Sequence, residues 1–219
     1  MSIFGVEEAA ERLGVSARQV RHLAANGELR LLARGVIDAS SVDQLMAVRR
    51  GSHRRAWAEA TAWGAVALLS GFEATWMGES QRSRLKGRLR ATTAEQLVER
   101  ARDRAAAGRY AGHTSSRARL RAETVDLSEA TTRLGLAETA AVDVYVAAGE
   151  LDALVARHAL ARDDAGTFTL RATTMDLAVV EELAQGVVLA ALDLAESLDI
   201  RERRVGIDAL DDALLRFRG

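Results

Sequence analysis

Apolar residues recur at helical spacing in residues 5–13, GVEEAAERL, where Val6, Ala9, Ala10 and Leu13 share one face. Gly14 follows as a residue suited to a left-handed helix end. Ser16 stands at the cap of a second helix, with Gln19 three positions on at capping-box spacing. In that second helix Val20, Leu23 and Ala24 form the inward stripe. Arg18, Gln19, Arg21 and His22 fall on the other side, and Asn26-Gly27 stops the run. The next segment, ELRLLARGVIDASS, places strand-like Leu29, Leu31, Val36 and Ile37 around an Arg34-Gly35 turn, which predicts a small hairpin with a basic tip. Ser40 and Ser41 each have a side-chain acceptor three residues on, Asp43 and Gln44. They predict a helix start at SVDQLMAVRR, with Val42, Leu45, Met46 and Val48 apolar.

Residues 50–55, RGSHRR, form a basic break that closes the first domain at about residue 50. AWAEATAWGAVALLSG then predicts a helix buried on several sides. Residues 79–109 predict two helices separated near Ala91-Thr92-Thr93, with Thr92 and Glu95 at capping-box spacing. From about residue 110 the pattern changes. RYAGH, TVDLS, DVYVA and TFTLRAT read as short strands, and SSRARLRAE, SEATTRLGL and AGELDALVARHAL read as helices between them. VVLAALDLAES and RERRVGIDALDDALLRF give a helical end. The expected fold is α+β and predominantly helical. Residues 1–50 would form a winged helix-turn-helix, 51–109 a helical connecting region with basic helices, and 110–219 a mixed α/β domain. There is no tandem repeat.

Composition sharpens this. With 219 residues, 48% apolar and 28% charged, the chain can bury a core as one large or two small domains. No apolar run reaches membrane-spanning length, and the start MSIFGVEEAAERLG does not read as a signal peptide, so a cytoplasmic location is expected. The absence of cysteine removes disulfides, thiolate metal sites and thiol nucleophiles. The absence of proline has no evident physical reason. Lys86 is the only lysine among 30 basic residues, and arginine offers the planar fork that suits phosphate and guanine. The net charge of −1 hides a polarity. Residues 1–122 hold 21 Lys+Arg against 12 Asp+Glu, and residues 123–219 hold 9 against 19. A basic half can meet a polyanion, and an acidic half can meet a basic protein or stay clear of DNA.

No catalytic pattern stands out, so the chain is not expected to be an enzyme. A nucleotidyltransferase would place paired aspartates on a strand about ten residues after Gly-Ser, to hold its metals. Gly51-Ser52 is followed by no such pair, DVYV holds only Asp143, and Asp208, Asp211 and Asp212 fit the polar face of a helix. Phosphate-binding glycine loops and G-x-S-x-G turns are missing. His22, His53, His113 and His158 lack ligand spacing, so neither a metal nor a cofactor is expected. Trp57 and Trp63 fit a core better than a base-stacking platform.

The positive signal is Ala10, Gly14 and Val20, spaced A-x3-G-x5-V. A small residue lets two helices approach, glycine permits the sharp turn, and a branched residue anchors the second helix. That leaves the other face free for a major groove about 12 Å wide. Ala17, Arg18, Arg21 and His22 would reach base edges, with Ser16 and Gln19 on phosphate or base. The segment VEEAAERLGVSARQVRHLAANGELRLLARGVIDASSVDQL resembles the MerR/excisionase-like DNA-binding domains. That resemblance implies that Arg30 and Arg34 on the wing contact phosphate or the minor groove. A longer likeness runs through RAWAEATAWGAVALLSG, SQRSRLKGRLRATTAEQLVERARDRA, RYAGH and LDLAESLDIRERRVGIDAL. These resemble the AbiEi-type antitoxins of type IV toxin–antitoxin pairs, although GESQRS stands where a Ser-Pro helix start would be expected. The resemblance implies a DNA-binding autorepressor of its own promoter, paired with a nucleotidyltransferase-like toxin. A stand-alone excisionase-like regulator, or a scaffold whose winged helix binds protein, remains open, as does the oligomeric state. The basic run at 79–109 also has two readings. Arg82, Arg84, Lys86 and Arg88 would make secondary DNA contacts, or the run is a solvated face whose arginines pair with Glu95, Glu99 and Asp103.

Overall fold

The computed structural model describes residues 3–25, 27–51, 55–137 and 139–219. The fold is α+β and predominantly helical, with twelve α-helices and two sheets among the described residues. It divides into two units, Met1–Arg54 with Leu198–Ile200, and Arg55–Ser197 with Arg201–Gly219.

In the first unit a short strand, β1 (Ile3–Gly5), leads straight into α1 (Val6–Leu13). Gly14 ends α1 at φ 66°, a conformation that carries little penalty only for glycine. The Gly14 and Val15 amides donate to the carbonyls of Glu11 and Ala10 at 3.2 and 3.0 Å, which closes the helix end. Ser16 Oγ then accepts from the Gln19 amide at 3.2 Å and starts α2 (Ala17–Ala25). Asn26 lies outside the described residues, and Gly27 turns at φ 74°.

The hairpin consists of β2 (Leu31–Ala33) and β3 (Val36–Asp38) around Arg34-Gly35. It is not a free two-stranded element, because β1 pairs antiparallel with β3 and gives the order β1-β3-β2. The third helix, α3 (Ala39–Gly51), begins earlier than Ser40 and Ser41 suggest. Asp38 supplies the cap: its Oδ1 accepts from the Ser40 amide at 3.1 Å. Buried Ser41 instead donates to the Asp38 carbonyl at 2.7 Å and accepts from the Arg30 amide at 3.1 Å, pinning the hairpin base to the helix. Ala9, Ala10, Val20, Leu23, Leu29, Ile37 and Val42 form the core of this unit.

The second unit opens with α4 (Glu59–Leu69), α5 (Glu79–Arg90) and α6 (Ala94–Ala101). Every residue of α4 from Ala62 to Leu69 is buried, as its unbroken apolar run requires. Thr93, not Thr92, caps α6, accepting from the Gln96 amide at 3.4 Å, while Thr92 Oγ1 donates back to the Arg88 carbonyl. After a 3-10 turn at Arg102–Arg104 come β4 (Ala106–Ala111), α7 (Ser116–Glu123), β5 (Val125–Asp126), α8 (Ser128–Arg133) and β6 (Val142–Ala147). Next are α9 (Leu151–Arg157), β7 (Ala161–Arg162), β8 (Phe168–Thr173), α10 (Leu177–Ala184), α11 (Val188–Ala195) and α12 (Ile200–Arg218).

The five strands lie in the order β5-β6-β8-β4-β7, with β6 and β8 parallel and the other pairs antiparallel. Alternation along β6 separates two cores. Val142, Val144 and Val146 join Phe168 and Leu170 on one side. Tyr145 belongs to the helical core on the other, where Trp63 meets it edge-on at 5.5 Å. Trp57 and Trp63 are core residues. Gly206 lets α12 lie against α11, since a Cβ there would fall 2.4 Å from the Ala195 amide nitrogen and 2.5 Å from the Ala191 carbonyl oxygen.

One polar joint ties α4 to the segment after β8. Glu59 accepts from Thr173 Oγ1 at 2.5 Å and from the Thr174 amide and hydroxyl at 2.6 and 2.8 Å. Burial alone would raise the Glu59 carboxyl, but these hydrogen bonds outweigh it and hold it below its ordinary value of 4.5. The stabilisation is therefore present above pH 4.5 and is lost as pH falls through the lowered folded-state value. Glu59→Gln is expected to reduce stability at pH 7 by about 1.5–3 kcal/mol and to flatten the acid limb of a urea-denaturation profile. Parallel profiles for the two proteins from neutral to acid pH would contradict this role.

Candidate nucleic-acid interface

The α1–α2 turn decides what α2 displays. Val20 and Leu23 are buried, which fixes the helix about its axis. Arg18, Gln19, Arg21 and His22 are then exposed, as is Ser16, while Ala17 is half-buried. Arg18, Arg21 and His22 stand at i, i+3 and i+4 and so share one face. Arg21 approaches Glu7 only at 4.0 Å, with both side chains largely in solvent, an arrangement that costs little to break. Arg18 makes no ion pair among the described residues.

The hairpin cations differ from each other. Arg34 is exposed at the turn, with no ion pair among the described residues. Arg30 sits at the hairpin base, its guanidinium 4.0 Å from the buried Asp38 carboxylate, so it also balances a charge inside the fold. Within this unit the structure exposes the predicted α2 and hairpin cations.

Arg82, Arg84, Lys86 and Arg88 lie on α5, in the second unit. Leu85 and Leu89 bury one stripe of that helix. Arg84, Lys86, Arg88 and Arg90 are exposed and Arg82 is half-buried. Arg82 donates to the Ala74 carbonyl and Arg84 to the Ser80 carbonyl, and Arg90 lies over the Phe217 ring. None of Arg82, Arg84, Lys86 and Arg88 forms an ion pair among the described residues. Of the carboxylates expected to pair with arginines of the 79–109 run, Asp103 does so, 3.8 Å from Arg102, while Glu95 accepts from Thr93. Gln81, Arg84 and Arg88 border a groove of about 200 Å³ beside Thr61 of α4.

A second constellation joins residues far apart in the sequence. Arg104, only 1% exposed, donates to the Tyr145 hydroxyl at 3.0 Å, to Glu196 at 2.6 and 3.0 Å, and to Asp193. Arg171 forms a bidentate pair with Asp143 at 2.7 and 2.9 Å and reaches Glu196 at 3.2 Å. Burial would lower both guanidinium pKa values, but the carboxylates raise them well above the ordinary arginine value: Glu196 first for Arg104, and Asp193 first for Arg171. Burial pushes the Tyr145 hydroxyl up. The sequence hint is the pair Asp193 and Glu196, three apart at the end of the apolar VVLAALDLAES.

Asp208, Asp211 and Asp212 are exposed on α12. Among the described residues no three His, Asp or Glu side chains are grouped to hold a metal, and no helix is long and apolar enough to cross a membrane. His53 and Ser52 lie outside the described residues. No protein-family model, curated protein or solved structure matches the chain.

Proposed function

We propose that this chain is a DNA-binding antitoxin and transcriptional autorepressor that binds double-stranded DNA at its own promoter through an N-terminal winged helix-turn-helix. The observation that carries the reading is the exposure of Arg18 and Arg21 on a helix whose opposite side is anchored by Val20 and Leu23. Arg18 and Arg21 read bases, with Ser16, Ala17, Gln19 and His22 assisting. Arg34, and Arg30 to the extent that Asp38 leaves it available, contact the backbone. In this role the chain needs no catalytic group and no cofactor. A nucleotidyltransferase-like toxin is the proposed partner, supported by the likeness to AbiEi-type antitoxins and by the acidic composition of residues 123–219. A neighbouring gene encoding Gly-Ser followed by paired aspartates separates an antitoxin from a stand-alone regulator.

The α5 cations are proposed as secondary, sequence-independent phosphate contacts. Each phosphate contact contributes about 0.9 to the slope of log affinity against log salt. Arg84→Ala/Arg88→Ala is therefore expected to lower that slope by about two and to weaken binding to operator and unrelated duplex alike. An unchanged slope would return α5 to the role of a solvated face. The test of the main reading is a binding titration with the DNA upstream of the gene at several salt concentrations. Binding that is tight, specific and salt-dependent supports it, whereas a scaffold for protein contacts shows no preference for that DNA.

A further inference from the structure

Beside the buried ion network, the second unit holds a cavity of about 250 Å³, walled by the β5–α8 corner, the start of β6, α11 and Glu202 of α12. Among the described residues, Asp126, Asp143, Asp193, Glu196 and Glu202 line it against two cations, Arg121 and Arg171. Those two are already engaged by acceptors of the chain. Arg171 is engaged by Asp143, Glu196 and Asp193, and Arg121 donates to the Ala141 carbonyl at 3.1 Å while its buried Nε, which makes no hydrogen bond, lies 3.8 Å from Asp126. The acceptors are not all used. Asp193 is 9% exposed, and its Oδ1 takes the Tyr145 hydroxyl at 2.8 Å as well as Arg104. Its Oδ2 is buried and accepts no hydrogen bond. A buried carboxylate oxygen without a donor leaves its desolvation uncompensated. Asp143, bound along one edge by Arg171, still has 43% of its side chain exposed at this cavity.

With both arginines ion-paired and carboxylates in excess, we propose that this cavity binds a small organic cation carrying N–H donors, an alkylammonium or alkylguanidinium group, held by Asp193 Oδ2 and the Asp143 carboxylate. An anion would face five carboxylates there, and the two arginines already have carboxylate partners. A cavity of this size, below the range for drug-sized ligands, admits a short diamine or a single basic side chain. Leu127, Leu136 and Leu194 provide apolar wall for its methylenes. The site is independent of the DNA-binding reading.

The test is calorimetric titration of the full chain with 1,4-diaminobutane and with N-acetyl-arginine methylamide, using butane-1,4-diol and succinate as neutral and anionic controls. At least one cation is expected to bind with a Kd of about 1 mM or tighter, and neither control to bind. Tighter binding of the diamine identifies a free polyamine as the ligand, and tighter binding of the arginine amide identifies a basic side chain of a partner. Asp193→Asn is expected to weaken binding about tenfold. Because Asp193 also holds Arg104, a second variant guards against misfolding. Ala137→Phe, at an exposed position on the cavity wall, should block entry while leaving the melting temperature unchanged. No cation binding, equal binding of succinate, or full binding by a folded Ala137→Phe would each overturn the proposal.

Discussion

Replacement of Arg104 by methionine is expected to destabilise the second unit by about 3–5 kcal/mol, the range for removing one partner from a buried charge network. Arg104 is 1% exposed and bonds to Tyr145, Asp193 and Glu196 from one guanidinium. Without it, the 9%-exposed Asp193 and the 25%-exposed Glu196 lose the guanidinium they both hold and share Arg171, at 3.4 and 3.2 Å. Against a total stability of about 5–15 kcal/mol, the loss at neutral pH is readily measured by urea denaturation. Arg104→Lys, which keeps the charge but not the planar fork, should fall between the two. A loss under about 1 kcal/mol for Arg104→Met would show that the network is better solvated than its burial indicates.

The second large effect is on binding rather than stability. Arg18→Ala and Arg21→Ala are each expected to cost about 1–3 kcal/mol of operator affinity where the guanidinium grips a guanine edge. The double variant should lose about a hundredfold or more, since each 1.4 kcal/mol is tenfold. Stability should stay within about 0.5 kcal/mol of the parent, because both side chains are exposed and Glu7, at 4.0 Å, is their one ion partner among the described residues. That separation of affinity from stability distinguishes surface recognition from damage to the fold. Arg30→Ala should not show it, since the buried Asp38 carboxylate loses its neighbouring cation.

Legibility in the sequence follows the distance over which each feature is decided. The turn at Gly14 and the cap at Ser16 depend on residues three or four apart, and both were readable. Cap positions slipped where two candidates were adjacent. Asp38 starts α3 rather than Ser40 or Ser41, because Ser41 is spent on the hairpin, and Thr93 caps α6 rather than Thr92. Strand β1 was missed because three residues carry no periodicity, and the partner of Phe4 is Ile37. Two-residue β7 was missed for the same reason. Helix α10 was passed over although Asp176 caps it, accepting from the Ala178 amide at 3.0 Å. For the arginines of the 79–109 run the sequence offered Glu95, Glu99 and Asp103 as partners, and side-chain direction pairs Asp103 with Arg102 but none of the three with the arginines of α5. The ion network was beyond sequence reasoning, since Arg104 finds Tyr145 41 positions away and Glu196 92 away.

Fluorescence-anisotropy titration of the full chain against the duplex immediately upstream of its gene, beside a scrambled duplex of equal length, tests the central claim most directly. At near-physiological salt the account predicts a preference for the upstream duplex of about a thousandfold or more, largely abolished by Arg18→Ala/Arg21→Ala at unchanged melting temperature. Equal affinity for the two duplexes, or full preference retained by the double variant, would contradict it.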